Sequence, residues 1–324
     1  MISLGIESTA HTFGVGMITD NGKVLVDEKS VYTPPIGSGI HPRMAAQFHI
    51  ENAIRTLKNV LKKIKSAEID LIAFSQGPGL PNCLNVGASI ARYLSLKYKK
   101  PLIGVNHCVA HIEIGKIMTG CKDPVIVYCS GGNTQIIAFI GGRYRIFGET
   151  EDIPIGNAFD VLARRMGLKM PGGPKIEKHA ETGKWVDLPY VVKGMDLSFA
   201  GIVTECIKRF EEGEKIENIS YSFQETVYSM LTEVTERAMA HTNKNEVLIT
   251  GGVAASRKLK NMMKKMCRQR EGKCYVVPKE FAGDNGAMIG WNGILAYKSK
   301  QQTNIKKSEI RKDWRTDEVD VTWL

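Results

Sequence analysis

The chain lacks the features that would place it in a membrane or in an oxidising compartment. Its 324 residues contain no uninterrupted apolar run of about 18 residues, the length that a spanning helix needs. The opening residues, Met1 to Glu7, show no basic stretch followed by a long apolar one, as a secretion signal would. Seven scattered cysteines without a Cys-x2-Cys pair argue against a disulfide framework and a structural zinc knot. We therefore expect a soluble protein of the reducing cytoplasm, with no membrane partner.

Several nucleotide and peptidase motifs are also missing. There is no Walker A sequence and no Gly-x-Gly-x-x-Gly after a first strand, which disfavours the P-loop and Rossmann families. In His107-Cys-Val-Ala-His111 the first histidine is followed by Cys108 and not by the glutamate that activates water in His-Glu-x-x-His peptidases. A zinc peptidase is therefore disfavoured as well.

Negative charge is under-represented. Lys and Arg number 44 against 34 Asp and Glu, a net charge of +10, so a polyanionic partner such as a nucleic acid is plausible. The densest basic cluster lies near the C-terminus and is either a solvated tail or a docking arm. It consists of Lys298, Lys300, Lys306, Lys307, Arg311, Lys312 and Arg315.

The chain contains two copies of one predicted strand pattern. Ile2 to Lys29 is predicted to form three strands joined by tight turns, and Val125 to Thr150 repeats that pattern. Helix and strand patterns follow each copy, and Ile219 to His241 has apolar residues at helical spacing. Because the chain is also longer than one core usually holds, we expect two similar lobes, each a sheet with flanking helices.

The most informative pattern is a set of four metal-ligand residue types. His107 and His111 are four apart, so on a helix both imidazoles lie on one face. Two ligands are too few, and the prediction depends on Tyr128 and Asp284 arriving from elsewhere. Two nitrogens beside oxygen donors would suit iron, manganese or zinc. By itself His-x3-His is more often a packing or surface feature.

Glycine-rich turns mark places where a phosphate or adenosine would fit. Ser130 to Thr134 is predicted as a turn between two strands, where small residues let backbone N–H groups approach an anion. Leu248 to Ala255 is predicted as a strand that runs into a Gly-Gly turn and then a helix from Ser256. Either motif alone is more often a simple tight turn.

Nine motifs in order resemble the tRNA threonylcarbamoyladenosine synthesis family, in its archaeal and eukaryotic branch, which supplies the catalytic subunit of the KEOPS complex. They span nearly the whole chain: Gly5-Ile6-Glu7-Ser8-Thr9, Gly77-Pro78-Gly79-Leu80, Asn106-His107-x3-His111, Tyr128 to Thr134, Asp160, Pro171-Gly172-Gly173-Pro174, Ser198-Phe199-Ala200-Gly201, Gly251 to Ala255 and Asp284-Asn285-Gly286.

The resemblance implies a fold and a reaction. The fold is α/β, the two-lobed architecture of actin, sugar kinases and Hsp70 with a duplicated lobe. Residues 1–123 would form the N-terminal lobe, 124–297 the C-terminal lobe with a substrate-binding insertion around 150–200, and 298–324 a basic C-terminal tail. The enzyme would transfer a threonylcarbamoyl group from threonylcarbamoyl-AMP to the exocyclic amine of the adenosine 3′ of the anticodon, in tRNAs reading codons that begin with A.

The resemblance also implies partners and cofactors. The partners are tRNA, a small atypical protein kinase or ATPase subunit and the other KEOPS subunits. In some archaea that kinase is fused to the C-terminus, so this chain could be the catalytic half of such a fusion. The cofactors are one transition-metal ion, iron first with zinc or manganese as alternatives, and a nucleotide in the interlobe cleft: threonylcarbamoyl-AMP, ATP or an analogue.

Carried over by position, the resemblance assigns the metal to His107, His111, Tyr128 and Asp284. It assigns the adenylate donor to Tyr128, Cys129, Ser130, Gly131, Gly132, Asp160, Gly173 and Glu177, with Ser256 at a further contact. Ser256 stands where the family usually has Asn, so a contact there would be shorter or mediated by water. A carboxylate can accept from ribose or threonine hydroxyls, and glycine admits a ligand without a clash. No catalytic base is assigned.

Two rival functions have the same fold. A small-molecule kinase or a chaperone-like ATPase would need a phosphate acceptor or an ATP-driven lobe motion, and neither explains metal ligands at both 107–111 and Asp284. In a non-catalytic scaffold, the nucleotide would only set the angle between the lobes. An assay of threonylcarbamoyl transfer to tRNA separates all of these.

Overall fold

The computed structural model describes residues 1–35 and 39–324. Its strands are β1 Ile2–Glu7, β2 Thr12–Thr19, β3 Val24–Val31, β4 Leu71–Gly77, β5 Leu102–Asn106, β6 Val125–Cys129, β7 Thr134–Ile140, β8 Arg143–Glu149, β9 Val192–Lys193, β10 Asp196–Leu197, β11 Glu246–Thr250 and β12 Lys273–Val276. Its α-helices are α1 Pro42–Lys63, α2 Pro81–Tyr98, α3 His107–Thr119, α4 Ile155–Arg165, α5 Gly172–His179, α6 Ala200–Glu211, α7 Ile216–Thr242, α8 Arg257–Gln269, α9 Lys279–Ala282 and α10 Gly286–Lys298. None of the helices in these ranges is long and apolar enough to cross a membrane.

The chain divides into two compact units. The first unit comprises residues 1–118, 141–144 and 283–324, and the second comprises 119–140 and 145–282. This division differs from the predicted one, in which 124–297 form one lobe and 298–324 a separate tail. The physical reason is that α10 and the residues after it pack on the first sheet. The Gln76 side chain, for example, donates to the Glu309 carbonyl at 2.6 Å, and Arg92 Nε donates to Ser308 Oγ at 2.7 Å.

The first unit is built on a five-stranded mixed sheet of order β3-β2-β1-β4-β5. Strands β1, β2 and β3 form the predicted antiparallel meander, and β4 and β5 extend it in parallel. Parallel neighbours need a crossover, and the helices α1 and α2 supply these connections. The predicted helix at the paired histidines is confirmed as α3, which follows β5 directly.

The second unit contains a five-stranded sheet of order β12-β11-β6-β7-β8. Counted from its own meander, β6 to β8, this sheet has the same strand order as the first. The structure therefore shows two mixed α/β sheets of one topology, while the duplication of a whole lobe stays a prediction. In the predicted insertion around 150–200 it places α4, α5 and the two-stranded sheet of β9 and β10.

The long helix α7 forms much of the second core. Its predicted apolar face is confirmed, because the residues at helical spacing are fully buried. These residues are Ile219, Phe223, Val227, Met230, Val234 and Ala238.

Strand β1 separates two different packing layers in the first unit. Leu4 and Ile6 are fully buried in a cluster with residues of α1 and α2, including Ala53 and Ala88. Successive residues of a strand point to opposite faces, so Gly5 faces the other layer. That layer is α10.

Glycines let α10 lie directly against the sheet backbone. A Cβ atom on Gly5 would lie 2.1 Å from the Gly286 carbonyl oxygen, and one on Gly16 would lie 2.5 Å from the Ala287 nitrogen. Both distances are far below van der Waals contact. Asp27 secures the same helix end, since its Oδ1 accepts from the Ala287 N–H at 3.0 Å. The start of α10 is thus fixed relative to β1 and β2.

Replacing Gly5 by Ala should destabilise the protein, because a methyl group cannot fit between β1 and α10 without moving one of them. We expect a loss of about 1–3 kcal/mol in the free energy of unfolding, the usual cost of overpacking. Urea denaturation measures it. Gly201→Ala is the matched control, since a Cβ there meets nothing within 4 Å and the residue lies in helix α6. Equal stability of the two variants would contradict the packing argument.

Candidate functional site

The two histidines are placed by the junction of β5 and α3. Asn106, the last residue of β5, accepts hydrogen bonds from the backbone N–H groups of Cys108 at 2.9 Å and Val109 at 3.1 Å through its Oδ1. This side chain satisfies two donors that a helix start otherwise leaves without partners. The helix therefore begins at His107, and the His107 and His111 rings stack edge to face with centroids 4.7 Å apart.

Asp284 lies beside both rings. Its Oδ1 is 3.3 Å from His111 Nε2 and 3.6 Å from His107 Nε2. The next residue, Asn285, caps α10 by accepting from the Met288 N–H at 2.8 Å. Asp284 thus stands at the fixed start of α10.

The chemistry of this cluster fits a transition-metal ion. One ligand atom from each of His107, His111 and Asp284 lies within 4.8 Å of the other two. Two imidazole nitrogens and one carboxylate are a donor set that suits iron, zinc or manganese. The structure therefore brings together three of the four predicted ligands. The identity of any metal stays a prediction.

The charged groups of the cluster shift one another's pKa values. Burial by itself raises the pKa of Asp284, but the hydrogen bond from His111 and the charge of His107 outweigh it and hold that pKa below its usual range. Burial lowers the pKa of His111. A carboxylate that stays ionised and an imidazole that stays neutral are both in the form that binds a metal.

Glu7 is a functional candidate that the sequence analysis did not single out. Its side chain is fully buried, and its Oε2 lies 2.9 Å from His107 Nδ1. Its Oε1 accepts from the Thr9 backbone N–H at 2.6 Å and from the Thr9 hydroxyl at 2.5 Å. Burial opposes a charge on His107, but Glu7 outweighs it and raises the pKa of His107 to about 9.

The Glu7 contact fixes which nitrogen of His107 faces Asp284. An ionised carboxylate only accepts hydrogen bonds, so His107 Nδ1 must be the donor to it. His107 Nε2 is the nitrogen on the Asp284 side. Histidines that bind metals are commonly oriented by such a carboxylate on the other ring nitrogen. The sequence signal for this role was an acidic residue inside an apolar strand, Ile2 to Glu7.

Tyr128 belongs to the second unit. It is fully buried in the middle of that sheet, on β6, where its register partners are Thr250 of β11 and Gln135 of β7. Its predicted role as a metal ligand and donor contact stays a prediction.

The predicted glycine turn after β6 is confirmed as a tight turn. Ser130 Oγ accepts from the backbone N–H groups of Gly132 at 3.2 Å and Asn133 at 3.0 Å, and the Ser130 N–H donates to the Asn133 carbonyl at 2.8 Å. A Cβ on Gly131 or Gly132 would meet nothing within 4 Å. The turn thus has an open side on which a ligand can lie close to the backbone.

Cys129 plays a different part from its neighbours. Its side chain is fully buried in the second core, and burial raises the pKa of the thiol far above neutrality. The residue therefore packs as an apolar side chain, without thiolate chemistry. Its carbonyl oxygen would lie 2.3 Å from a Cβ on Gly251, whose φ of +88° also favours glycine.

Asp160 shapes the second predicted donor segment. Its Oδ1 accepts from the Gly172 N–H at 2.8 Å, which ties α4 to the start of α5. A Cβ on Gly172 would lie 2.6 Å from the Phe159 carbonyl oxygen, whereas one on Gly173 meets nothing within 4 Å. Gly173 is therefore the glycine of this pair that has open space beside it.

Glu177 and Ser256 both cap helix α8. Glu177 Oε1 accepts from the backbone N–H groups of Arg257 at 2.9 Å and Lys258 at 3.3 Å, and Ser256 Oγ accepts from Leu259 N–H at 3.3 Å. These bonds satisfy helix-start donors and put a negative charge where the helix dipole favours it. Donor binding by either residue stays a prediction, and the capping role is what the structure adds.

Sequence comparison decides the family. A sequence model of the TsaD family, described as tRNA N6-adenosine threonylcarbamoyltransferase, matches residues 23–291. The chain belongs to this family. The predicted family is thereby confirmed, and the chain is a tRNA N6-adenosine threonylcarbamoyltransferase that acts in threonylcarbamoyladenosine biosynthesis.

Two relatives illustrate how far the similarity extends. The tRNA N6-adenosine threonylcarbamoyltransferase of Archaeoglobus fulgidus is 54% identical, over 100% of both chains. The probable bifunctional tRNA threonylcarbamoyladenosine biosynthesis protein of Methanocaldococcus jannaschii is 52% identical over 100% of this transferase, which covers 61% of that relative.

A solved structure shares the fold. Full-length HypF in the phosphate- and nucleotide-bound form superposes with a TM-score of 0.62 at 15% identity, over 92% of this transferase and 55% of HypF. At that identity the likeness shows the α/β fold alone.

The metal assignment makes a first prediction for the transferase. If His107, His111 and Asp284 hold one ion, elemental analysis should find a transition metal in the purified protein. The double variant His111→Ala, Asp284→Ala should lose most of it, because removing ligands weakens a small site severely. The control is His179→Ala, which removes a histidine of the second unit that pairs with Glu217. Full metal retention in the double variant would exclude the assignment.

The contact between Glu7 and His107 makes a second prediction. Glu7→Gln keeps the shape but offers an N–H to His107 Nδ1, which favours the tautomer with hydrogen on Nε2, the nitrogen that a metal needs. Metal affinity in a chelator competition should fall roughly 10- to 100-fold. Because Glu7 raises the pKa of His107 to about 9, nitrogen NMR of the metal-free protein at neutral pH should show a doubly protonated His107 ring in the wild type and a lower pKa of that ring in Glu7→Gln.

Glu113→Gln is the matched control for Glu7→Gln. Glu113 is also buried in the first unit, but it accepts from the Tyr144 hydroxyl at 2.6 Å and from Trp323 Nε1 at 3.0 Å. Its variant should keep the wild-type metal affinity. Equal losses in both variants would show that Glu7 acts only through general stability.

Proposed function

We propose that this transferase moves a threonylcarbamoyl group from threonylcarbamoyl-AMP to the exocyclic amine of the adenosine 3′ of the anticodon, in tRNAs reading codons that begin with A. The observation that carries the proposal is the cluster of His107, His111 and Asp284 in a chain that matches a transferase over its full length. We propose a cytoplasmic location, where the tRNA substrate is.

The bond changes of this reaction are simple. The adenosine amine attacks the carbamoyl carbon, a C–N bond forms, the C–O bond to the adenylate phosphate breaks, and AMP leaves with its electron pair while the amine loses a proton. Because AMP is a good leaving group, no strong general base is required and we assign none.

The donor contacts are proposed for the second unit. The open side of the turn at Gly131 and Gly132 would let the adenylate or its phosphate lie close to the backbone. Asp160 would hold the turn that presents Gly173, whose open side admits the donor. The end of β6 carries Tyr128 and Cys129 and leads at Ser130 into the turn of Gly131 and Gly132. These three residues would line the donor site beside that turn. Glu177 and Ser256 would line the start of α8.

The metal would be held by His107, His111 and Asp284, with Tyr128 as the proposed fourth ligand and Glu7 orienting His107. When bound, such an ion acts as a Lewis acid that stabilises negative charge on a carbonyl or phosphoryl oxygen. We propose iron first, with zinc or manganese as alternatives. The start of α10 would hold Asp284 in place, and Glu7 would hold the orientation of His107.

The partners are proposed on the resemblance and on one relative. The Methanocaldococcus jannaschii relative is named bifunctional and is longer than this chain, which supports a second, physically associated activity. We propose that a small atypical kinase or ATPase subunit and the other KEOPS subunits assemble with this transferase.

A transfer assay with glycine variants tests the donor site. The purified chain, threonylcarbamoyl-AMP, tRNA and the other complex members are combined, and the tRNA is then digested to nucleosides. Gly132→Val and Gly173→Val should each lower threonylcarbamoyladenosine formation roughly 100-fold, because a side chain would displace the donor from its reacting position. Thermal stability should hold, since a Cβ at either position meets nothing within 4 Å.

Gly39→Val is the matched control, since a Cβ there also meets nothing within 4 Å. Its activity should equal that of the wild type. Normal transfer by Gly173→Val would remove that residue from the donor site. No modified nucleoside from the wild-type assembly, together with nucleotide hydrolysis, would favour the rival ATPase function.

A further inference from the structure

Helix α8 carries an unusual one-sided charge. Its 13 residues include six cations and no acidic residue. The cations are Arg257, Lys258, Lys260, Lys264, Lys265 and Arg268. A solvated surface helix normally mixes both signs, because like charges three or four residues apart repel each other.

The opposite face of α8 anchors the helix. Leu259 and Met263 are fully buried, Cys267 is 1% exposed and Met266 is 5% exposed, all in the core of the second unit. At 3.6 residues per turn, Lys264, Lys265 and Arg268 fall on the side away from these residues and are exposed, while the half-buried Lys260 lies at the edge of the buried face. The cations are therefore presented from a fixed helix.

Most of this charge has no counter-charge within the protein. Lys258 pairs with Glu225, and Arg257 contacts Glu181 at 3.0 Å. Across residues 1–35 and 39–324, no ion pair within 4.0 Å involves the other four cations, Lys260, Lys264, Lys265 and Arg268. An external polyanion would supply the missing negative charge.

The C-terminal residues, the most basic cluster in the sequence, are less suited to this role. Residues 298–324 contain seven Lys and Arg but also five Asp and Glu, a net charge of only +2. Arg311 stacks on the Trp314 ring at 3.9 Å, and Lys312 Nζ lies 3.6 Å from Asp313. Lys298 and Arg315 pair with Asp20 and Asp317, so four of the seven cations are already engaged inside the first unit.

We propose that α8 is a phosphate-contacting surface for the tRNA substrate, with Lys260, Lys264, Lys265 and Arg268 as the contacts. The proposal rests on the proposed function. The start of α8 is capped by Glu177 and Ser256, two of the proposed donor residues. RNA held along α8 would therefore lie beside the donor site of the same unit. Its contacts are to the backbone, so they position tRNA without reading sequence.

The test removes the four charges and measures tRNA binding at several salt concentrations. The fourfold variant Lys260→Gln, Lys264→Gln, Lys265→Gln, Arg268→Gln should lower the slope of log affinity against log salt by about 3, since each phosphate contact adds about 0.7 to 0.9. Its melting temperature should not fall, because Gln is also a good helix former and the change relieves repulsion.

The matched control removes four exposed lysines of the first unit, Lys23, Lys58, Lys62 and Lys65, also by Gln. It changes the net charge equally and should leave the slope nearly unchanged. A charge-conserving variant, Lys260→Arg, Lys264→Arg, Lys265→Arg, should keep the wild-type slope and serves if the Gln variant fails to fold. The proposal would be overturned by an unchanged slope in the Gln variant, by an equal fall of the slope in the control or by a lower slope in the Arg variant.

Failure of this proposal is distinguishable from failure of the proposed function. If α8 binds tRNA but the transfer chemistry is assigned wrongly, the slope falls as expected while no threonylcarbamoyladenosine forms in the wild-type assay. If the chemistry is right but α8 is the wrong surface, the wild type modifies tRNA and the fourfold variant binds it with an unaltered slope.

Discussion

The close packing of α10 against β1 and β2 is the constraint on which the metal cluster depends. Gly5, Gly16 and Gly286 leave no room for side chains between the helix and the sheet backbone. The same sheet carries Glu7 at the end of β1, and the same helix is preceded by Asp284. The contact between α10 and β1 therefore sets the distance between Asp284, a predicted metal ligand, and Glu7, which orients the ligand His107. These glycines thus position the metal cluster by allowing close packing of the helix on the sheet.

His107 is held by groups that come from distant parts of the sequence. Asn106 starts the helix, Glu7 binds one ring nitrogen and Asp284 faces the other. Asn106 fixes the position of the imidazole on the helix, Glu7 fixes which ring nitrogen carries the hydrogen, and Asp284 lies on the side that the other nitrogen faces. Such preorganisation matters because a site that must reorder on binding loses affinity.

Helix α8 connects structure and proposed function in the second unit. Its start is capped by Glu177, which satisfies two backbone donors and offsets the unfavourable placement of Arg257 and Lys258 in a first turn. Glu177, a predicted donor contact or surface helix residue, was not recognisable as a cap from the sequence, because a cap cannot be distinguished from a surface helix acid without knowing what packs against it. The cations of α8 did not stand out in the sequence because the C-terminal cluster holds more of them. Only the structure shows which cations form ion pairs.

The sequence by itself determined the elements and the family. Periodicities of two and 3.6 residues placed the two meanders and helix α7, and ordered motifs identified the transferase, because local spacing and motif order are properties of the chain alone. Only the tertiary structure decided that residues 283–324 return to the first unit, that Glu7 contacts His107, and which cations lack partners. Such contacts join residues up to 260 positions apart in the sequence, as in the bond from the Ala287 N–H to Asp27, and no local pattern encodes them.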